Sequence, residues 1–173
     1  MEIKKLTGKR KKTEADHIEI RRLEFLAGLY MDEYGPIVPT RCVRAMLIHG
    51  ARKDKNGKQF ESGLFIETSP SVEYDGPRSA QEMWEGGFAW STPCGNQRST
   101  IIRTRPRFEE WSITFVAELD TELVSLADYQ LALARAERSV GLLDGRTIGF
   151  GRFNSEILDG VIDDTRKAKT SKA

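Results

Sequence analysis

Residues 111–153 run WSITFVAELDTELVSLADYQLALARAERSVGLLDGRTIGFGRF. Three patterns follow one another in this stretch. Trp111, Ile113, Phe115, Ala117 and Leu119 alternate with Ser112, Thr114, Val116 and Glu118, the period of a strand with one buried face. Ser125, followed by Asp128, forms a helix-capping pair. Leu126, Tyr129, Leu133 and Ala136 then recur along one side of a helix extending to about Ser139. Four glycines (Gly141, Gly145, Gly149, Gly151) and two arginines (Arg146, Arg152) close the stretch. Glycine permits the left-handed backbone and close approach, and arginine holds phosphate in a fork of donors. The order predicted is strand, helix, glycine-rich loop and a last strand over Phe150–Leu158.

Working back toward the N-terminus, Thr100–Thr104 and Trp111–Leu119 form the best hairpin candidate. Ala80–Glu85 is predicted to be a short helix, while Gly86–Gln97 mixes Gly, Pro, Trp and Cys and gives no pattern. Gly63–Glu67 and Ser71–Tyr74 are strand candidates, and Lys53–Lys58 (KDKNGK) is expected to be an exposed loop. Pro39 suits the first turn of a helix running to about Ala51, with Val43, Met46, Leu47 and Gly50 on one stripe. Leu29–Met31 and Pro36–Val38 are expected to be short strands on either side of the turn Asp32–Gly35. Thr13 caps a helix from Glu14 to about Ala27, with Asp16 in the capping-box position and Gly28 placed to end it. Lys4–Lys12 (KKLTGKRKK) is expected to be a loop or arm. Strands pair locally with helices between them, which predicts an α+β domain with an antiparallel sheet.

The chain has 173 residues, 39% hydrophobic and 31% charged, with a net charge of +1. That length fits one domain, 1–173, with a basic arm at 1–12 and a polar tail at 160–173. No run reaches the ~18 apolar residues of a membrane span, and no apolar segment follows the basic N-terminus, so a cytoplasmic protein is expected. Cys42 and Cys94 form no CxxC pair, which argues against a zinc site or disulfide scaffold. No Walker loop, HExxH or GxSxG is present, and no cofactor or metal is expected.

Charge is segregated. Six of the nine residues from Lys4 to Lys12 are basic: Lys4, Lys5, Lys9, Arg10, Lys11 and Lys12. Arg98, Arg103, Arg105 and Arg107 form a second group, and Arg166, Lys167, Lys169 and Lys172 a third. Such groups can give a neutral protein one basic face. The arm could track a phosphate backbone or stay solvated. In RTRPR, Arg103, Arg105 and Arg107 point to one side if extended, beside the aromatics Phe108 and Trp111. They could contact a strand, or pair with Glu109 and Glu110. Trp111 shares the apolar face of its strand and belongs to the core. Gly145, Arg146, Gly149 and Arg152 mark the loop as an anion contact, against the alternative of a purely geometric connection. His17 and His49 are the only histidines. No motif surrounds either, so an ordinary helical role outweighs acid–base catalysis.

The C-terminal order, WSITFVAEL, SLADYQLALARAERS, VGLLDGRTIGFGRF, resembles the RAMP superfamily, the ferredoxin-like (RRM-like) proteins of CRISPR effector complexes. Gly35-Pro-Ile-Val-Pro39, followed by a helix bearing Arg44 and Ala45, is similar to that superfamily's proline-then-helix segment. IKKLTGKRKKT, EFLAGLY and YDGPRS resemble a group of phage and prophage proteins over most of the chain. The resemblance implies a ferredoxin-like sheet with helices on one face, and binding of RNA or single-stranded DNA by a non-catalytic, self-associating protein of phage origin. A phage assembly protein and a metal-independent endoribonuclease are the other two functions considered. The chain departs from the superfamily at its start, where only Met1–Leu6 precedes the basic segment. A first strand is therefore short, absent or supplied by a neighbour.

Overall fold

The core forms where two helices meet. In the computed structural model, which describes residues 2–96 and 99–158, α3 (Thr40–Arg52) packs against α6 (Leu126–Arg135). Val43, Met46, Leu47 and Ala51 of α3 are buried in one cluster with Tyr129, Ala132 and Leu133 of α6. The helices approach closely because position 50 is glycine: a Cβ there would run into the Ala132 carbonyl oxygen. At the end of α3, Asp54 receives two hydrogen bonds from Arg135, Nε and Nη2 each at 3.0 Å. Asn56 donates to the Asp128 carboxylate at 3.1 Å. The predicted stripe on α3 is therefore the core stripe, and Ser125 and Asp128 form the expected capping box on α6. One π-type turn, Ala136–Val140, continues α6.

The described residues also hold two antiparallel two-stranded sheets, which makes the fold α+β. In the first, β1 (Leu64–Phe65) pairs with β4 (Glu118–Leu119). In the second, β2 (Ala89–Asn96) pairs with β3 (Ser99–Pro106) over their full lengths. Between them, single bridges join Ile37 to Ser71 and Glu73 to Ser112, so 36–38, 71–73 and 112 lie side by side. Of the strand expected over 111–119 only Glu118–Leu119 is laddered, with a single bridge at Ser112, yet Trp111, Ile113, Phe115, Ala117 and Leu119 pack on the core as their alternation predicts.

Several expectations are corrected. The hairpin does not join 100–104 to 111–119. The partner of β3 is the patternless segment before it, reached by a far shorter connection than the one through Pro106. The last strand expected over Phe150–Leu158 does not form: Arg152 donates to the Arg138 carbonyl at 3.3 Å, and Ser155 to the Glu137 carboxylate. Those bonds tie the chain to the end of α6 instead of a sheet edge. Lys4 and Lys5 lie on a short helix, α1 (Glu2–Thr7), with half-buried Ile3 and Leu6 one turn apart on it and α2 (Glu14–Gly28) packed against it. KDKNGK runs into a further helix, α4 (Gly57–Gly63), which carries buried Phe60. The 160–173 tail and its basic cluster lie outside the described residues, as does Arg98.

The remaining helices agree with the sequence pattern. Thr13 and Asp16 cap α2 (Glu14–Gly28) in a capping box, and α5 spans Ala80–Glu85. Phe25 of α2 lies against Trp84 of α5, ring centroids 5.7 Å apart. Glu24, only 7% exposed, accepts from the Thr104 backbone N–H at 2.9 Å and from Arg103 Nη1 at 3.0 Å. The carboxylate thereby closes the free edge of β3 against α2. Replacing Glu24 with Ala orphans a buried N–H and should destabilise the protein by roughly 2–3 kcal/mol. Glu24→Gln, which keeps an acceptor, should lose less than half as much. Urea melts of the two variants check this, and equal losses would contradict it.

Candidate nucleic-acid interface

The glycine loop closes on itself. Gly141, Gly145, Gly149 and Gly151 all have positive φ, between 67° and 96°. Leu142 N–H donates to the Gly151 carbonyl at 2.8 Å, and a Cβ at 151 would collide with the Leu142 backbone. Ile148 and Phe150 donate to the Gly145 carbonyl, and Gly149 to that of Arg146. Gly145 N–H donates to its neighbour's carboxylate, Asp144 Oδ1, at 2.9 Å. The Gly145 and Gly149 amides are thus engaged within the loop and do not form an open cradle. A short 3-10 turn, Arg146–Ile148, carries the loop's charge outward.

Arg146 is the residue the loop presents. Its stem lies across Gly141, with Cγ 3.3 Å from where a Cβ would stand. Its charge reaches His49 on α3, whose pKa falls below the ordinary 6.5 through burial first, then through Arg52, Arg146 and Lys53. Arg52 also lines an open depression with Lys55, Gly57, Lys58 and Glu61. Glu61 Oε1 accepts from Arg52 at 2.7 Å. Lys53, Lys55, Lys58 and Arg146 have no ion pair among the described residues. Arg52 thus shares the depression with Lys55 and Lys58, and with Arg146 and Lys53 it disfavours the charged form of His49.

The predicted arginine row is present but largely partnered. Arg103 and Arg105 stand opposite Thr92 and Trp90 in the ladder, so they share one face. Arg103 pairs with Glu24 at 3.0 Å, Arg105 with Asp144 at 3.5 Å, and Arg107 with Glu109 at 3.1 Å. The Arg105–Asp144 pair joins hairpin and glycine loop. Arg152 is held at the end of α6. In the arm, Lys9 pairs with Asp16 at 2.6 Å, and that bond is the main reason the Asp16 carboxyl falls to about 2. Lys12 donates to the Lys9 carbonyl at 3.0 Å. Lys4, Lys5, Arg10 and Lys11 are exposed, with no ion pair among the described residues.

Phe108 lies in an aromatic group, its ring centroid 4.8 Å from Tyr74 and 5.8 Å from Phe88. Trp111 packs on the core. Tyr30, Tyr34, Phe65 and Trp90 are the exposed aromatics among the described residues, and Trp90 is on the strand that sequence patterning did not reveal. His17 is exposed on the first turn of α2, far along the chain from the His49 group. Among the described residues no group of acids, histidines and cysteines could hold a metal, and no helix is long and apolar enough to cross a membrane. No protein-family model matches the chain, and no curated protein or solved structure was found to match it.

The charge group makes a direct prediction. Arg146→Ala removes a cation that disfavours imidazolium, so the His49 pKa should rise toward 6.5. An NMR titration of the ring protons reads it. An unchanged value would separate the glycine loop from the end of α3.

Proposed function

We propose that this protein binds single-stranded nucleic acid, DNA or RNA, mainly through phosphates and without cleaving it. The observation that carries the proposal is that Arg146 and Arg52, far apart in sequence, act with Lys53 on the same imidazole, while Arg52 lines an open depression with Lys55 and Lys58. Such a surface releases counterions from a polyanion and gives sequence-independent, salt-sensitive affinity. Lys4, Lys5, Arg10 and Lys11 add further free charge. Arg103, Arg105 and Arg107 serve first to fix the hairpin. The pairs of Arg105 and Arg107 are partly exposed, and exposed pairs are weak enough to be exchanged for phosphate.

The reading agrees with the RAMP resemblance, which adds a ferredoxin-like sheet, a phage source, action in the host cytoplasm and repeated copies along a strand. The bridged segments 36–38, 71–73 and 112 are where a larger sheet would be built. A second reading, a phage assembly protein, has one observation in its favour: Ile101 and Ile102 near the end of the hairpin are 47% and 67% exposed. Light scattering without nucleic acid tests self-association, and a strict monomer counts against it.

Titration against fluorescent single-stranded DNA and RNA at two salt concentrations tests the proposal. Affinity should fall steeply as salt rises, and absence of binding to both at low salt would overturn it. Changing Arg10 and Lys11 together to Ala should weaken binding and flatten the log–log salt slope by roughly 1.4, at about 0.7 for each phosphate no longer neutralised. An unchanged slope would remove the arm from the interface.

A further inference from the structure

Beside the glycine loop, the base of the β2–β3 hairpin holds a ring that the core does not use. Trp90 is 44% exposed even with its cross-strand neighbours in place. Its partner in the ladder is Arg105, and Arg107 is its diagonal neighbour. The Arg107 guanidinium carbon lies over the indole, 4.3 Å from the ring centroid, and 5.7 Å from that of Phe150 in the loop. Glu109 holds Arg107 from the side at 3.1 Å. Trp90 is thus a large flat surface, fixed by one cation and flanked by a second, with much of its area open to water.

We infer that Trp90 stacks an unpaired nucleobase, with Arg105 and Arg107 placed to take the adjoining phosphates. The inference rests on the nucleic-acid reading above and adds a base-contacting point to a surface otherwise made of charge. Three features favour a nucleobase. Every base offers a π-face, and stacking on an aromatic ring supplies affinity without sequence preference. Duplex DNA hides those faces, so the contact selects single strands. The neighbouring cations suit a ligand that joins a planar ring to a phosphate. Arg105 Nη1 donates to the Thr104 carbonyl at 3.0 Å, and the residue's ion pair with the 83% exposed Asp144 is loose at 3.5 Å, weak enough to be exchanged for phosphate. Trp84 and Trp111 lack this setting, since Trp84 packs on Phe25 and Trp111 on the core.

The test compares an oligo(dT) strand with an abasic strand of equal length, which keeps the phosphates and lacks the bases. Wild-type protein should bind oligo(dT) at least about fivefold more tightly, the lower end for one stacked base. Trp90→Ala should lose that preference while holding the abasic strand as wild type does. Trp90→Phe, which keeps a ring, should retain most of it and guards against a folding defect. A Trp90→Ala variant that keeps the full preference overturns the stacking site and leaves phosphate binding standing. Equal wild-type affinity for both strands does the same. Failure of both strands to bind wild-type protein overturns the phosphate reading and the stacking site together.

Discussion

The buried carboxylate of Glu24 is the interaction on which the placement of the hairpin depends. A two-stranded ribbon has two free edges and little core of its own, and isolated it is marginal in water. Glu24 satisfies the Thr104 N–H on one of those edges and anchors Arg103 at the same time. Pro93 lies in the other strand, where a missing N–H is tolerated at an edge. With β3 fixed to α2, the ladder register determines where Trp90, Arg105 and Arg107 stand. The Arg105–Asp144 pair then brings the glycine loop to that position.

The loop contributes by shape. Its amides bond within the loop, and the glycines allow a turn so tight that residues 142 and 151 touch. The consequence is positional: Arg146 is held across Gly141, where its charge adds to that of Arg52 and Lys53 at the end of α3. A helix C-terminus tolerates such cations because its exposed carbonyls carry partial negative charge. His49 favours its neutral form through burial first and then through the same charges.

The helices α2, α3, α5 and α6 were legible because their signals are local, whereas α1 and α4, both short and α4 without a side-chain cap, were not. Thr13 with Asp16 and Ser125 with Asp128 mark two starts, and the stripe Val43, Met46, Leu47 and Gly50 marks a core face. Strand pairing was less legible. Alternation at 111–119 identified the buried face but not the partner, since register depends on contacts distant in sequence. Ala89–Asn96, holding Pro93, Cys94 and Gly95, has no alternation because a ribbon pinned along one edge has no fully buried side. That hid Trp90. The Arg103–Arg107 row was visible as charge, but Glu24 and Asp144 lie about 80 and 40 residues away along the chain, so its pairing was not. Lys53, Lys55 and Lys58 read in sequence as an ordinary exposed loop, because only the fold brings the Arg146 charge to the imidazole that Arg52 and Lys53 also act on.

A single strand bound across the cations of α3, α4 and the glycine loop is the central claim. Backbone and indole N–H chemical shifts, followed by NMR as a short oligonucleotide is added, test it most directly. The largest shifts are predicted at Arg52, Lys53, Lys55 and Arg146 and at the Trp90 indole, with the Trp111 indole unmoved. Shifts confined to other surfaces, or none at saturating strand, would contradict it.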